Sequence, residues 1–267
     1  MKNTAPVHKN NEPDVTRKWS RWLIPGTTVL LAVLLAFVAI GLKHRSTLPL
    51  QTDGQPVTPQ TLTTENIILP QPDLRSGNSI EAVLKNRRTR RDFLDQALSL
   101  KQISQMLWAA QGVTVDWGDR TAPSIKSVYP LTVYLIASKV DGLDPGEYQY
   151  IPGDRTPVHQ LKPIKKVELK DALFDALNQS PFKNAPAVLV VTGNMDKMAE
   201  AFGGIHHDSE VYLEAGHVGQ SLYLQAESLK LGMIVVTSFE EAAVKSLVTV
   251  PDGDTIIYLV PFGIPKQ

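Results

Sequence analysis

Cysteine is absent from all 267 residues. That excludes disulfides, thiolate nucleophiles and zinc sites built on sulfur. Net charge is absent too: 27 basic side chains balance 27 acidic ones. No overall field draws the chain to nucleic acid, which is not expected as a partner. Neither G-x-G-x-x-G nor G-x-x-x-x-G-K-[ST] occurs, so Rossmann and P-loop nucleotide sites are unsupported. The serines lack a G-x-S-x-G elbow, the histidines lack H-E-x-x-H spacing, and no internal repeat is present.

One long stretch lacks charge altogether. "WLIPGTTVLLAVLLAFVAIGL", residues 22–42, is long enough at about 1.5 Å per residue to cross a hydrocarbon core of about 30 Å. Trp22 stands where an interfacial indole is favoured. The run is long for a signal peptide, and no good small-x-small cleavage site ends it, so an uncleaved anchor is expected. Lys2, Lys9, Arg17, Lys18 and Arg21 precede the span, and only Lys43 and Arg45 follow it closely. This bias, tempered by the basic pair just after the span, puts residues 1–21 in the cytoplasm and the remainder on the far side, as in a single-pass protein of a bacterial inner membrane. Residues 43–64, rich in Thr, Pro and Gln, read as a flexible tether. Residues 65–267 remain for a folded domain, about 200 residues, within the usual single-domain range.

Within that domain, Asn78 with Glu81 and Ser99 with Gln102 form capping-box patterns ahead of helical apolar spacing, and Gly112 ends the second helix. Residues 131–138, 185–192, 232–239 and 255–262 are rich in β-branched side chains and predict buried strands. Residues 165–179 and 209–232 predict helices, giving an α/β or α+β class around a central sheet. The long helix contains Gly216 and Gly219. Each costs about 1 kcal/mol relative to alanine, a cost explained by close approach of another helix, a partner subunit or a flat cofactor. His206, His207, Asp208 and His217 invite a metal reading, but adjacent histidines ligate one ion poorly. Asp208 more simply caps the long helix, and no metal site is expected.

"NRRTRRDF", residues 86–93, concentrates arginine at a helix end before a phenylalanine. Guanidinium forks match phosphate oxygens bidentately, and Thr89 adds a hydroxyl. The alternative is a solvated basic helix end favoured by the helix dipole.

The order of these residues resembles the R-R-S-x-R-x-F signature of the nitroreductase family, with Thr89 for serine. "PSIKSVYP" with the strand after it, "LEAGHVGQSLYLQAESLKLG" and "DTIIYLVPFGIPK" resemble segments of its SagB-type, azoline-oxidising branch, in the same order. The resemblance implies an α+β fold with a central antiparallel-rich sheet flanked by helices, here preceded by a transmembrane helix. It implies an FMN-dependent oxidoreductase that exchanges hydride at flavin N5, and a homodimer with two interface sites. By position, Arg87, Arg88, Thr89 and Arg91 would hold the FMN phosphate and ribityl chain, with Lys266 adding a contact. Pro123, Ser124 and Tyr129 would line the flavin from the partner subunit. Gly216 and Gln220 would lie near the ring, and Thr237 would replace the glycine beside it. Lys126 stands for the glycine of P-S-A-G, and Ser221 for an asparagine. The branch's Lys-Tyr base cannot be placed, because Lys183 precedes Asn184, so no catalytic residue is assigned. The substrate class, small molecule or peptide, stays open. The alternative function is a degenerate member kept as a binding or assembly module of a membrane complex.

Overall fold

The structure, a computed structural model, describes residues 65–154 and 158–266. The expected N-terminal segment, membrane span and tether lie outside the described residues. Among those residues, no helix is long and apolar enough to cross a membrane.

Seven antiparallel strands form the main sheet: β1 (Ile67–Ile68), β3 (Leu131–Ala137), β5 (Gly146–Ile151), β6 (Gln160–Lys165), β7 (Ala187–Asn194), β8 (Gly232–Met233) and β9 (Asp254–Gly263). Their spatial order is β1-β6-β5-β3-β7-β9-β8. A separate parallel pair joins β2 (Leu98–Ser99) to β4 (Val140–Asp141). The central strands β3 and β7 are apolar almost throughout because both sheet faces are covered. Successive side chains point to opposite faces. Leu131, Val133 and Leu135 therefore enter one core with helices α2 (Leu100–Gln111) and α5 (Asp208–Ser228). Tyr134 and Ile136 enter the other, against Leu173 of α3 (Lys170–Leu177) and Phe182.

Ser99 and Gln102 form a full capping box on α2. Gly112 ends that helix with its N–H on the Trp108 carbonyl at 2.7 Å. A Cβ there would collide with the Trp108 indole, so packing demands the glycine. Helix α1 (Ile80–Asn86) departs from expectation by one residue: Ser79, not Asn78, is its N-cap and accepts from Ala82 N. Asn78 instead donates to the Ser228 carbonyl at the far end of α5. Asp208 is likewise not a cap. His207 holds that position without a side-chain bond, and Asp208 is the first helical residue, where its charge complements the helix dipole.

The expected strand over 232–239 shortens to Gly232–Met233. Beyond it Ile234 N reaches the Pro261 carbonyl at a long 3.4 Å and Val236 pairs with Leu259, while Val235 N–H turns to the Tyr223 hydroxyl at 3.1 Å. The expected helix over 165–179 starts at Lys170, because Lys165 still belongs to β6. Sequence patterning also missed β1, β5, β6 and the short helix α4 (Met195–Ala201).

A buried histidine ties the β6 edge to α2. His159 is 1% exposed. Its Nε2–H faces the Pro70 carbonyl at 2.9 Å and Ser104 Oγ at 3.1 Å, so Nδ1 accepts from the Tyr150 hydroxyl at 2.8 Å. The neutral ring is fully satisfied, and a second proton would oppose the tyrosine hydrogen. Burial pushes its pKa below the ordinary 6.5, outweighing the upward pull of the Pro70 carbonyl. A histidine depressed in the folded state contributes stability above its unfolded pKa and loses it as pH falls through the folded one. The thermal midpoint should therefore drop below about pH 6.5, at about 1.4 kcal/mol per unit of depression. In His159→Gln that segment of the pH–stability curve should flatten. An unchanged slope would assign the acid sensitivity to other groups.

Candidate cofactor site

After α1 the chain runs beside the end of the sheet. Arg87 is the C-cap, its N–H on the Val83 carbonyl. Arg90 N donates to the Met233 carbonyl at 3.0 Å, and Leu94 N to that of Ile264 at 2.9 Å. Lys266 N donates to the Asp92 carbonyl at 2.9 Å, so the C-terminal lysine lies along the arginine strip. Phe93, buried, anchors the strip in the second core and bridges to Pro265. Arg90 packs its stem against Gly232. Among the described residues, none of Arg87, Arg88, Arg90, Arg91 or Lys266 has a carboxylate partner within salt-bridge distance. A cluster of like charges without counter-ions favours an anion.

The arginines differ in placement. Arg87 lies over the Tyr223 ring at 5.1 Å. Thr89 Oγ1 meets the Tyr223 hydroxyl at 3.3 Å. Arg88 curls back to the carbonyls of Lys85 and Arg87, at 2.9 and 2.8 Å. Arg91 is exposed.

Tyr223 is also a wall of a trough of about 520 Å³ between α5 and the segment after β8. Tyr212, Gly216, Gln220, Thr237 and Tyr258 share the lining. Gly216, Gln220 and Tyr223 fall on one helical face at i, i+4 and i+7, a spacing that could have revealed Tyr223 from sequence. Tyr258 donates to the Ala215 carbonyl at 2.7 Å, and burial pushes its pKa well up. The two helical glycines do different things. A Cβ on Gly219 would touch Tyr258 and Val235 at ordinary distance, whereas one on Gly216 would meet nothing within 4 Å. Gly216 thus bares the helix backbone to the trough. Thr237 is exposed and is not among the residues with positive φ, so this position does not demand glycine for its conformation.

Pro123, Ser124 and Tyr129 are not brought to this trough. They sit in the loop between α2 and β3. There Ser124 Oγ donates to Glu214 Oε1 at 3.0 Å and accepts from Tyr129 N at 2.7 Å. Glu214 also takes Ile125 N at 2.7 Å. Desolvation raises its pKa despite those donors and the charges of His217 and Arg120. Arg120 stacks over Tyr129 at 4.3 Å and donates to Gln111. Lys126 has φ 53°, in the left-handed region that favours glycine. Its ammonium offsets the strain by reaching the Ala201 carbonyl at 2.8 Å and the Phe202 ring at 3.9 Å. Neither Glu214 nor Arg120 was singled out from sequence.

The histidines are engaged locally. His207 pairs with Glu210 at 3.0 Å and stacks on Phe202, and His206 faces Asp208 at 3.4 Å. Among the described residues, no three metal-ligating side chains gather.

The nitroreductase family model matches residues 84–264, from the end of α1 to the last strand. A protein of Methanocaldococcus jannaschii named "Putative nitroreductase" is 34% identical over 186 residues, 69% of this chain and 90% of that one. A solved structure from Ralstonia eutropha, also named a "putative nitroreductase", has 25% identity and a TM-score of 0.64 over 84% of this chain and 97% of its own. Another so named, from Anabaena variabilis, has 24% identity and a TM-score of 0.59. It matches 70% of this chain, which spans only 38% of that longer protein. With the α+β fold and its antiparallel sheet flanked by helices, these likenesses show that the chain belongs to the nitroreductase family.

Proposed function

We propose that the protein is an FMN-dependent oxidoreductase of the SagB-type branch, anchored to a membrane by residues 22–42, with the folded domain outside the cytoplasm. The observation that carries the cofactor reading is the bare backbone of Gly216 in a trough whose tyrosine wall touches Arg87 and Thr89. A volume of about 520 Å³ lies in the range of small-ligand sites, and the adjoining cations, without a carboxylate partner among the described residues, suit one terminal phosphate. Arg87, Arg88, Thr89, Arg91 and Lys266 would hold the phosphate and ribityl chain, and Gly216, Gln220 and Thr237 would flank the ring. Bound there, FMN would supply two-electron chemistry by hydride exchange at N5.

The protein's own groups would exclude water and fix the ring. A homodimer would complete the site, because Pro123, Ser124 and Tyr129 lie away from the trough in their own chain and a second copy would bring them to it. Tyr212 and Leu213, 52% and 54% exposed on α5, offer apolar surface for that contact. The membrane reading rests on the apolar run and its basic flank.

The full chain, purified in detergent, should be yellow and release FMN rather than FAD on denaturation. A colourless protein that cannot be reconstituted with FMN would favour the second reading, a family member kept as a binding or assembly module. The departures at Lys126 and Ser221 support that reading.

A further inference from the structure

We propose that Glu214 is a positioning residue: its buried carboxylate locks the Pro123–Pro130 loop in the one conformation that can face the isoalloxazine ring. This role rests on the FMN reading above.

Three of the five non-glycine residues with positive φ among the described residues lie in this loop: Lys126, Ser127 and Tyr129, at 53°, 54° and 50°. Such backbone is costly for residues with a Cβ and persists only where its surroundings over-determine it. At the loop's first end the restraint converges on one oxygen. Glu214 Oε1 takes both Ser124 Oγ–H and Ile125 N–H. The same Ser124 oxygen takes Tyr129 N–H, closing the loop on itself.

Glu214 is 2% exposed, next to the core residues Val211, Ala215 and Val218. An apolar residue there would serve packing without the cost of burying a charge. A carboxylate placed so serves the loop. Other contacts hold the middle and the far end: Lys126 Nζ to the Ala201 carbonyl, Lys197 Nζ to the Tyr129 carbonyl at 3.0 Å, the Tyr129 hydroxyl to Asp119 at 3.3 Å, Arg120 over the Tyr129 ring and Asn194 N to the Pro130 carbonyl. They leave the Ser124–Ile125 end to Glu214.

A ligand that needs one loop conformation binds in proportion to its population. The loop would act on the ring and the arginine strip on the phosphate, so the two devices carry different signatures. The test titrates FMN and riboflavin into the full chain in detergent, at a temperature where each variant is folded. Glu214→Ala is expected to weaken both flavins alike, by about tenfold for a loop populated about one-tenth of the time. Glu214→Gln keeps an oxygen acceptor and should recover most of that loss. Ser124→Ala, which breaks the same chain of bonds with less risk to folding, should also weaken both flavins.

A lower thermal midpoint with unchanged flavin affinity would make Glu214 a structural brace and overturn the proposal. So would a loss confined to FMN. If Glu214→Ala does not fold, Ser124→Ala decides by the same criterion. A wild-type protein that binds neither flavin overturns the FMN reading and this role together, whereas wild-type binding with unaffected variants overturns this role alone.

Discussion

Arg87→Ala is expected to weaken FMN binding about tenfold to a hundredfold and to leave riboflavin nearly unaffected. Riboflavin lacks the phosphate, so comparing the two isolates the phosphate contact. A hydrogen bond to a charged group is worth about 1.5–3 kcal/mol, and each 1.4 kcal/mol is about tenfold in affinity. Arg87 is the best-placed arginine of the strip. Its guanidinium lies over Tyr223, a wall of the trough, and no described carboxylate neutralises it. Arg88 is already engaged with the carbonyls of Lys85 and Arg87, so Arg88→Ala should show a smaller affinity loss and some fraying of α1. The fold should survive Arg87→Ala, because the residue is half-buried at a helix end and the lost cation–π contact is worth about 0.5–1 kcal/mol there. A solvated basic helix end would instead give equal FMN affinity in wild type and variant. Equal weakening of both ligands would point to general damage.

The legible parts of the fold are those where one period dominates. β3, β7 and β9 read as strands because both sheet faces are covered and their apolar runs are unbroken. β6 did not, because Lys162, Pro163 and Lys165 break its pattern, as happens near a sheet edge. α4 carries a readable start, with Asn194 accepting from Lys197 N, but seven residues are too few for a period to show. The over-long reading of 232–239 came from treating β-branched composition as pairing. Past Met233 the pairing with β9 thins to a weak bond from Ile234 N and the Val236–Leu259 bridge, while Tyr223 takes the outward Val235 N–H and Val235 and Thr237 line the trough.

The site was half legible for a similar reason. Gly216 and Gln220 share a helical face, and Arg87 and Thr89 reach the same place through Tyr223. Glu214 was invisible, since a carboxylate on a mixed helix ordinarily reads as solvent-facing. Its meaning comes from the Ser124–Ile125 loop, 90 residues earlier in the chain, folding onto it.

Gly216 supports a prediction in which stability and binding move in opposite directions. The residue lies inside the 21-residue helix α5, where glycine costs about 1 kcal/mol relative to alanine. Gly216→Ala should therefore raise stability by about that amount, because the new methyl meets nothing within 4 Å. If a flavin ring lies against the bare backbone, the same methyl should weaken FMN and riboflavin together. Gly216→Leu, which fills much more of the trough, should abolish measurable binding, a loss of about a hundredfold or more by the cost of overpacking at about 1–3 kcal/mol plus the displaced contacts. A glycine kept for helix packing within the subunit predicts the reverse for stability, since overpacking destabilises. A glycine kept for subunit contact predicts dissociation of the proposed homodimer. Thermal melts, flavin titrations and sedimentation on the two variants separate the three outcomes. Gly216→Leu protein that is stable, keeps the wild-type oligomeric state and still binds FMN at wild-type affinity would remove the cofactor from this trough.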